Sequence, residues 1–429
     1  MRSWPEGLAR TRIDLPQGAG GRLGVECEAG MFPGPAVRPD GMKKTTTAPI
    51  HLLPEPPQAC ASPCIDTGPQ LQPMPHRKEI RSWLVPICRR STVTALRLVT
   101  VDLLLFALAL AAAVLLRTPL LQLTSALLAG FMIARLFVIG HDACHQSLTR
   151  HRRLNRWIGR LVFLPSLTPY SLWEAGHNVV HHGYTNLRGV DFVWQPLSAE
   201  EFRALPPQRR MLESVYRSGW APWLYYGVEI WWKRMLFPSR RYMPTRRTIF
   251  LLDGLLVSAF AAAWIGGLLA LAAHTDRSAA WLLTVGFALP FVVWNGFMGF
   301  VVYVHHTHPE VAWHEDKRRW AAAQPFVSTT VHLTFRSSMG AALHHIMEHT
   351  AHHVDMSVPL YRLKAAQRLL EERLRGHIVV QPFSWRWYAD TARRCKLYDF
   401  RRGCWTDFRG RATSAPVRTG APGPGELVT

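Results

Sequence analysis

The chain has 429 residues, with 50 Lys+Arg against 29 Asp+Glu and a formal net charge of +21. Such an excess suits a nucleic-acid binder or a membrane protein with arginine-rich loops. The distribution decides for the membrane: the longest uncharged stretches are apolar, the arginines lie between them, and no nucleic-acid-binding motif occurs. The seven cysteines are odd in number and scattered, which excludes a disulfide framework and points to a reducing compartment. Cys60 and Cys64 have no matching second pair with which to hold zinc.

In chain order, residues 1 to about 90 are rich in Gly, Pro and Thr without lasting periodicity, and read as a disordered leader. "MPHRKEIRSW" from Met74 resembles a fresh start, and no cleavable signal peptide is evident. The main domain is expected over residues 91–375. It holds four apolar segments, 98–116, 119–140, 249–273 and 279–304, each reaching the about 20 residues that cross a hydrocarbon core as a helix. Their only charges are Asp102, Arg135 and Asp253. "RT" at 117–118 and "HTDRS" at 274–278 join them in pairs. The expected fold is therefore an all-α integral membrane protein: four transmembrane helices in two hairpins, with a cytoplasmic helical cap. Arg89, Arg90 and Arg97, then Arg150, Arg152, Arg153, Arg156, Arg240, Arg241, Arg246 and Arg247, mark the cytoplasmic side.

In the middle loop, "WIGRLVFLPSLTPYSLW" (157–173) and the Trp/Tyr-rich "WAPWLYYGVEIWWKRMLF" (220–237) read as interfacial segments. Asn295, alone among apolar neighbours, faces an acyl tunnel, a metal site or a neighbouring helix. "YRLKAAQRLLEERL" (361–374) reads as an amphipathic helix. Residues 376–429 form a cytoplasmic tail, Gly/Pro/Ser-rich and expected to be disordered from about 408.

"HHIMEHTAHH" (344–353) packs five histidines into ten residues, and three further clusters share its side of the membrane. "HDACH" holds His141 and His145, "HNVVHH" holds His177, His181 and His182, and "HHTHP" holds His305, His306 and His308. His141/His145, His177/His181 and His349/His353 are each four apart, so on a helix each pair projects from one face. His182 and His352 extend two pairs to triplets. At least eight nitrogen donors exceed what one ion takes, which implies two metals close together. Imidazole suits zinc, copper, iron or nickel. Redox iron leads, because "HDACH" is not the HExxH of a zinc peptidase and no paired cysteines offer an iron–sulfur site. Asp142 and Glu348 read as groups behind the ligands or as solvent groups.

With three histidine boxes, HxxxH, HxxxHH and HxxHH, the chain resembles the membrane fatty acid desaturase family over about residues 90–375. "HHGYTNLRGVD" and "HHTHP" extend the likeness toward its acyl-lipid, delta-12/omega-6 branch. The resemblance implies a non-haem diiron centre held by His141, His145, His177, His181, His182, His349, His352 and His353. It implies a ninth donor, with His306 preferred over His305, His308 and His345. It also implies that Asn186 and Asp191 hydrogen-bond ligand imidazoles, and His345 could sit behind the ligands instead of among them. His151 and His314, among charges, read as solvent-exposed.

The implied activity is O₂-dependent desaturation of a long-chain acyl group carried on phospholipid, coenzyme A or a carrier protein. No fused cytochrome or iron–sulfur module is encoded, so electrons come from a separate ferredoxin or cytochrome b5 type protein. Two rivals remain. A diiron hydroxylase or ketolase on alkanes, carotenoids or sphingolipids keeps the metal site and changes the product. A metal transporter or sensor is disfavoured, since transporters place ligands near the bilayer midplane.

Overall fold

The computed structural model of the chain describes residues 74–240, 243 and 245–417. The leader up to residue 73, including Cys27, Cys60 and Cys64, and the end from residue 418 lie outside the described residues.

Order begins earlier than composition suggested. Helix α1 (Arg77–Leu84) lies inside the stretch read as leader, and its first turn is capped by the His76 ring, which accepts from the Lys78 N–H. Ile80 and Leu84, four apart on one face, are wholly buried, a gain of about 1.5–3 kcal/mol each. Arg81 pairs with Asp355 at 3.1 Å. A single helical turn of apolar residues is too short to register against a Gly/Pro-rich background.

The described chain is mostly helical, with four helices long and apolar enough to cross a membrane. Helix α2 (Thr92–Leu115) starts at Ser91, whose hydroxyl accepts from the Thr94 N–H at 3.2 Å. Helix α3 (Pro119–Cys144) opens with proline at its first position, where the missing N–H has no helical partner to lose. Helix α4 (Arg152–Phe163) leads into the middle loop. Helices α5 (Thr248–Ala273) and α6 (Ala279–His306) complete the set. Residues Thr284–Ala288 of α6 wind as a π-turn directly before Pro290, which has no N–H for the preceding turn. The helices overrun the apolar runs because caps and polar histidine turns continue them.

Helix α3 is the axis, packing on α2, α4 and α6. Gly140 permits a close approach: a Cβ there would stand 2.3 Å from the Phe163 ring of α4. Outward faces are apolar, with Leu108 of α2 66% and Leu251 of α5 63% exposed. Lipid solvates such a surface and water does not. The charges within the spans are paired: Asp102 with Arg135 at 2.8 Å and Asp253 with Arg160 at 2.7 Å.

Beyond α6 the chain forms a polar layer. Strand β1 (Val331–Thr334) precedes α7 (His349–Val354) and α8 (Leu363–Arg373). Helix α8 is the expected amphipathic helix and buries Leu363, Ala366 and Leu370. Strand β2 (Val379–Pro382) pairs with β1 in parallel. Helix α9 (Trp385–Arg394) then leads to an antiparallel pair, β3 (Leu397–Asp399) and β4 (Cys404–Thr406). Residues 408–417, expected to be disordered, are tied down: the Thr413 N–H donates to Trp405 O at 2.8 Å and its hydroxyl to Arg394 O at 2.6 Å.

The two Trp-rich segments are only half interfacial. Trp157 (71%), Trp220 (87%) and Trp232 (52%) point outward, whereas Tyr170, Trp173, Tyr226, Ile230 and Met235 are buried.

Candidate metal centre

The last turn of α3 carries His141 and His145 and closes in a Schellman turn. Gln146 takes φ 59°, its N–H donates to Ala143 O, and the Ser147 N–H donates to Asp142 O. Asp142 bonds no imidazole. Its carboxylate accepts from the Ser147 hydroxyl at 2.7 Å and the Leu360 N–H at 3.3 Å, clamping the exit of α3 to the chain before α8.

His177 and His181 lie on a π-helix, Ala175–His181, closed by the His182 N–H on His177 O at 3.0 Å. This winding changes the expected pairing. With i→i+5 bonds, His182 comes beneath His177, and their Nε2 atoms are 3.1 Å apart. His181 turns to the other side. The triplet is therefore split, and so is the 349/352/353 set.

Nine histidines gather in two groups. His141, His145, His177, His182 and His352 form one; His181, His306, His349 and His353 form the other, with donor nitrogens in each within 4.8 Å of one another. In the first group, Nε2 separations are 2.8 Å (141–177), 3.3 Å (141–145) and 2.9 Å (182–352). In the second they are 3.0 Å (349–353) and 3.2 Å (306–349). Two nitrogens bound at right angles to an ion at about 2.1 Å lie about 3.0 Å apart, so these spacings suit one ion per group.

The outer ring atoms fix the tautomers. His181 Nδ1 donates to the Asp191 carboxylate at 3.1 Å, His306 Nδ1 to Thr329 O at 3.3 Å, and His353 Nδ1 to the Thr185 hydroxyl at 3.2 Å. That hydroxyl in turn donates to His181 O at 2.8 Å. With Nδ1 protonated, the Nε2 atoms of His181, His306 and His353 each carry a lone pair, and His349, whose Nδ1 has no hydrogen-bond partner, contacts two of them. Three such lone pairs exceed the single N–H that a neutral His349 could turn toward them, and a cation satisfies them together. Burial, reinforced by neighbouring imidazoles, also holds the pKa of His145, His177, His182, His349, His352 and His353 well below the ordinary histidine range. They stay in the neutral form that binds metal. All nine donors are nitrogen, so the residues fit a zinc, copper, iron or nickel ion.

Of the candidates for the ninth place, His306 enters a group. His305 stacks on His349 at 3.8 Å between centroids, and its Nε2 contacts Met347 Sδ. His308 bonds Gln381 at 3.2 Å. His345 pairs with Glu348 at 2.9 Å. Asp191 accepts from the His181 imidazole. Asn186 does not: its Nδ2 donates to Ala312 O and Thr329 O, and its N–H to Asp191 at 2.9 Å. It braces the groups that hold His181 and His306. His151 is exposed as expected. His314 is buried, with its pKa lowered by burial to about 4, because its backbone joins the 186–188 turn through two hydrogen bonds. Asn295 packs its side chain against Gly227.

Both groups border one apolar cavity, which His141, His177, His181, His306 and His349 line together with Trp173, Tyr226, Ile230, Met235 and Met298. Tyr226, Ile230 and Met235 share one face of a second π-helix, Tyr226–Leu236. Their spacing of four and five matches no α-helical stripe, so a 3.6-residue reading passes over them.

The family model described as fatty acid desaturase matches residues 117–385. Curated relatives agree. The chain is 29% identical over 274 residues to an sn-1 oleoyl-lipid 12-desaturase of Synechocystis sp., covering 64% of this chain and 75% of that protein. It is 28% identical over 270 residues to a chloroplastic omega-6 fatty acid desaturase of Brassica napus, covering 63% and 58%. It is 30% identical over 235 residues to an sn-1 oleoyl-lipid 12-desaturase of Arthrospira platensis, covering 55% and 64%. A match over well more than half of its length, containing all three histidine boxes, means that the chain belongs to the fatty acid desaturase family, alongside the acyl-lipid 12- and omega-6 desaturases.

Proposed function

We propose that the chain is a multi-pass membrane oxidoreductase that places a cis double bond in the oleoyl chain of a lipid, using a diiron centre held by the nine gathered histidines. The observation that carries this reading is the apolar cavity bordered by both histidine groups. Hydrocarbon walls exclude water and accept an acyl chain, each buried CH₂ contributing about 0.8 kcal/mol. Bound iron supplies the reduction of O₂, with two electrons and two protons, that removes two hydrogens from adjacent methylenes and yields water and an alkene. His181, His306 and His353 keep their Nε2 lone pairs inward through the Asp191, Thr329 and Thr185 contacts. Trp173, stacked on His177 at 4.9 Å, forms cavity wall and ring support together.

In this reading α2–α3 and α5–α6 are two hairpins. The histidines then sit at the cytoplasmic end of α3 and α6, and a separate ferredoxin or cytochrome b5 type protein delivers the electrons. The substrate follows the names of the relatives. The test is expression of the full chain in a host rich in oleoyl lipid, with fatty-acid profiling and metal analysis. A new dienoic acid and about two irons per chain are expected, both lost in His352→Ala. A hydroxylated product, or protein without iron, overturns the proposal.

A further inference from the structure

Tyr226 is 1% exposed and lines the acyl cavity, yet its hydroxyl is buried without a hydrogen-bond partner. Its ring stands edge-on to Trp294, at 5.9 Å and 82°. Ile230 and Met235 on the same π-helix and Met298 line the cavity with it, and no described residue accepts from the hydroxyl. A buried donor of this kind is unfavourable unless the bound molecule completes it. A saturated acyl chain has no acceptor to offer. An oleoyl chain has one, the π face of its existing double bond, and X–H···π contacts of this kind are weak but real.

We propose that Tyr226 is a specificity-determining residue that reads a pre-existing double bond in the acyl chain, its hydroxyl donating to the alkene π face. This rests on the acyl-desaturase reading above and adds to it the means by which the site takes a mono-unsaturated chain in preference to a saturated one. The contact forms and breaks no covalent bond. Its effect lies in which chain binds, and at what depth.

The test is competition binding to the purified, iron-loaded full chain without electron donor, so that no turnover occurs. The probes are lysophosphatidylcholines bearing oleoyl, stearoyl or 9-octadecynoyl chains, which displace a fluorescent acyl lipid. The alkyne is straight but carries π electrons, so it separates recognition of the π bond from recognition of the bend. Wild type should prefer both oleoyl and octadecynoyl over stearoyl. Tyr226→Phe should reduce both preferences about 2- to 5-fold without weakening stearoyl binding.

An unchanged preference in Tyr226→Phe overturns the proposal. So does an equal loss for all three probes, which would mark a contact to the ester carbonyl. Should the phenylalanine variant lose its cooperative thermal transition, Tyr226→Met takes its place, and the wild-type comparison still decides: no preference for the alkyne over stearoyl refutes π recognition. Failure of the enzyme reading is distinguishable, because it appears as absent dienoic acid in the expression host whatever the probes do.

Discussion

Asp191 is the residue on which the second histidine group turns. It is fully buried and accepts from His181 Nδ1, the Asn186 N–H and the Val193 N–H, so its charge is spread over donors that cannot move. A carboxylate in this position raises the basicity of the imidazole and fixes its orientation. Asp191→Asn keeps the volume and loses the charge. It is expected to lower metal affinity about 10- to 100-fold, measured as metal retained per chain against a graded chelator, with little change in secondary structure. Retention equal to wild type would mean that His181 is oriented by something else. The histidines themselves were legible as residues, because three boxes of imidazoles on one side of the spans have no packing explanation. Their partition was not legible. Spacing of four implied that His177 and His181 share an ion, and the π-winding instead joins His177 to His182 across i,i+5.

Elements within the membrane depend on charge pairing. Asp102 of α2 takes both Arg135 of α3, at 2.8 Å, and His344, at 2.5 Å. Arg135 also donates to Ala342 O. His344 and His345 both have positive φ, 52° and 60°, a conformation that disfavours ordinary side chains by about 1–2 kcal/mol each. The contacts of His344 to Asp102 and of His345 to Glu348 hold that strained turn immediately before α7, and so aim His349, His352 and His353. Asp102→Asn leaves Arg135 without its counter-charge and weakens the acceptor for His344. It should destabilise the protein by about 3–5 kcal/mol, read as a lowered thermal midpoint in detergent. Replacing Asp102 and Arg135 together with leucine should cost less than the single change. An unaltered midpoint in Asp102→Asn would remove this network from the account. From the sequence, lone charges in apolar spans were visible, but their partner 242 residues away, His344, was not.

For the whole molecule, helix α6 runs 28 residues, about 42 Å at 1.5 Å per residue, against a hydrocarbon core of about 30 Å. The α5–α6 turn and His306 are thus at opposite ends of a helix long enough to span. In a cysteine-free background, Asp276→Cys should react with a membrane-impermeant maleimide added to intact cells, and Lys317→Cys only after permeabilisation. Equal labelling of both from outside would contradict the two-hairpin arrangement. Length and hydropathy determined by themselves that four helices are long and apolar enough to span lipid, because a hydrocarbon core selects about 20 apolar residues wherever they occur. Imidazole clustering likewise marked in advance residues that could hold metal. Only the tertiary structure decided how the histidines divide into two groups, that His306 and not His305, His308 or His345 joins one of them, and that Tyr226 lines an apolar cavity. Those outcomes depend on π-turns and on contacts between residues distant in the chain, and a backbone winding that breaks the 3.6-residue period leaves no period to read.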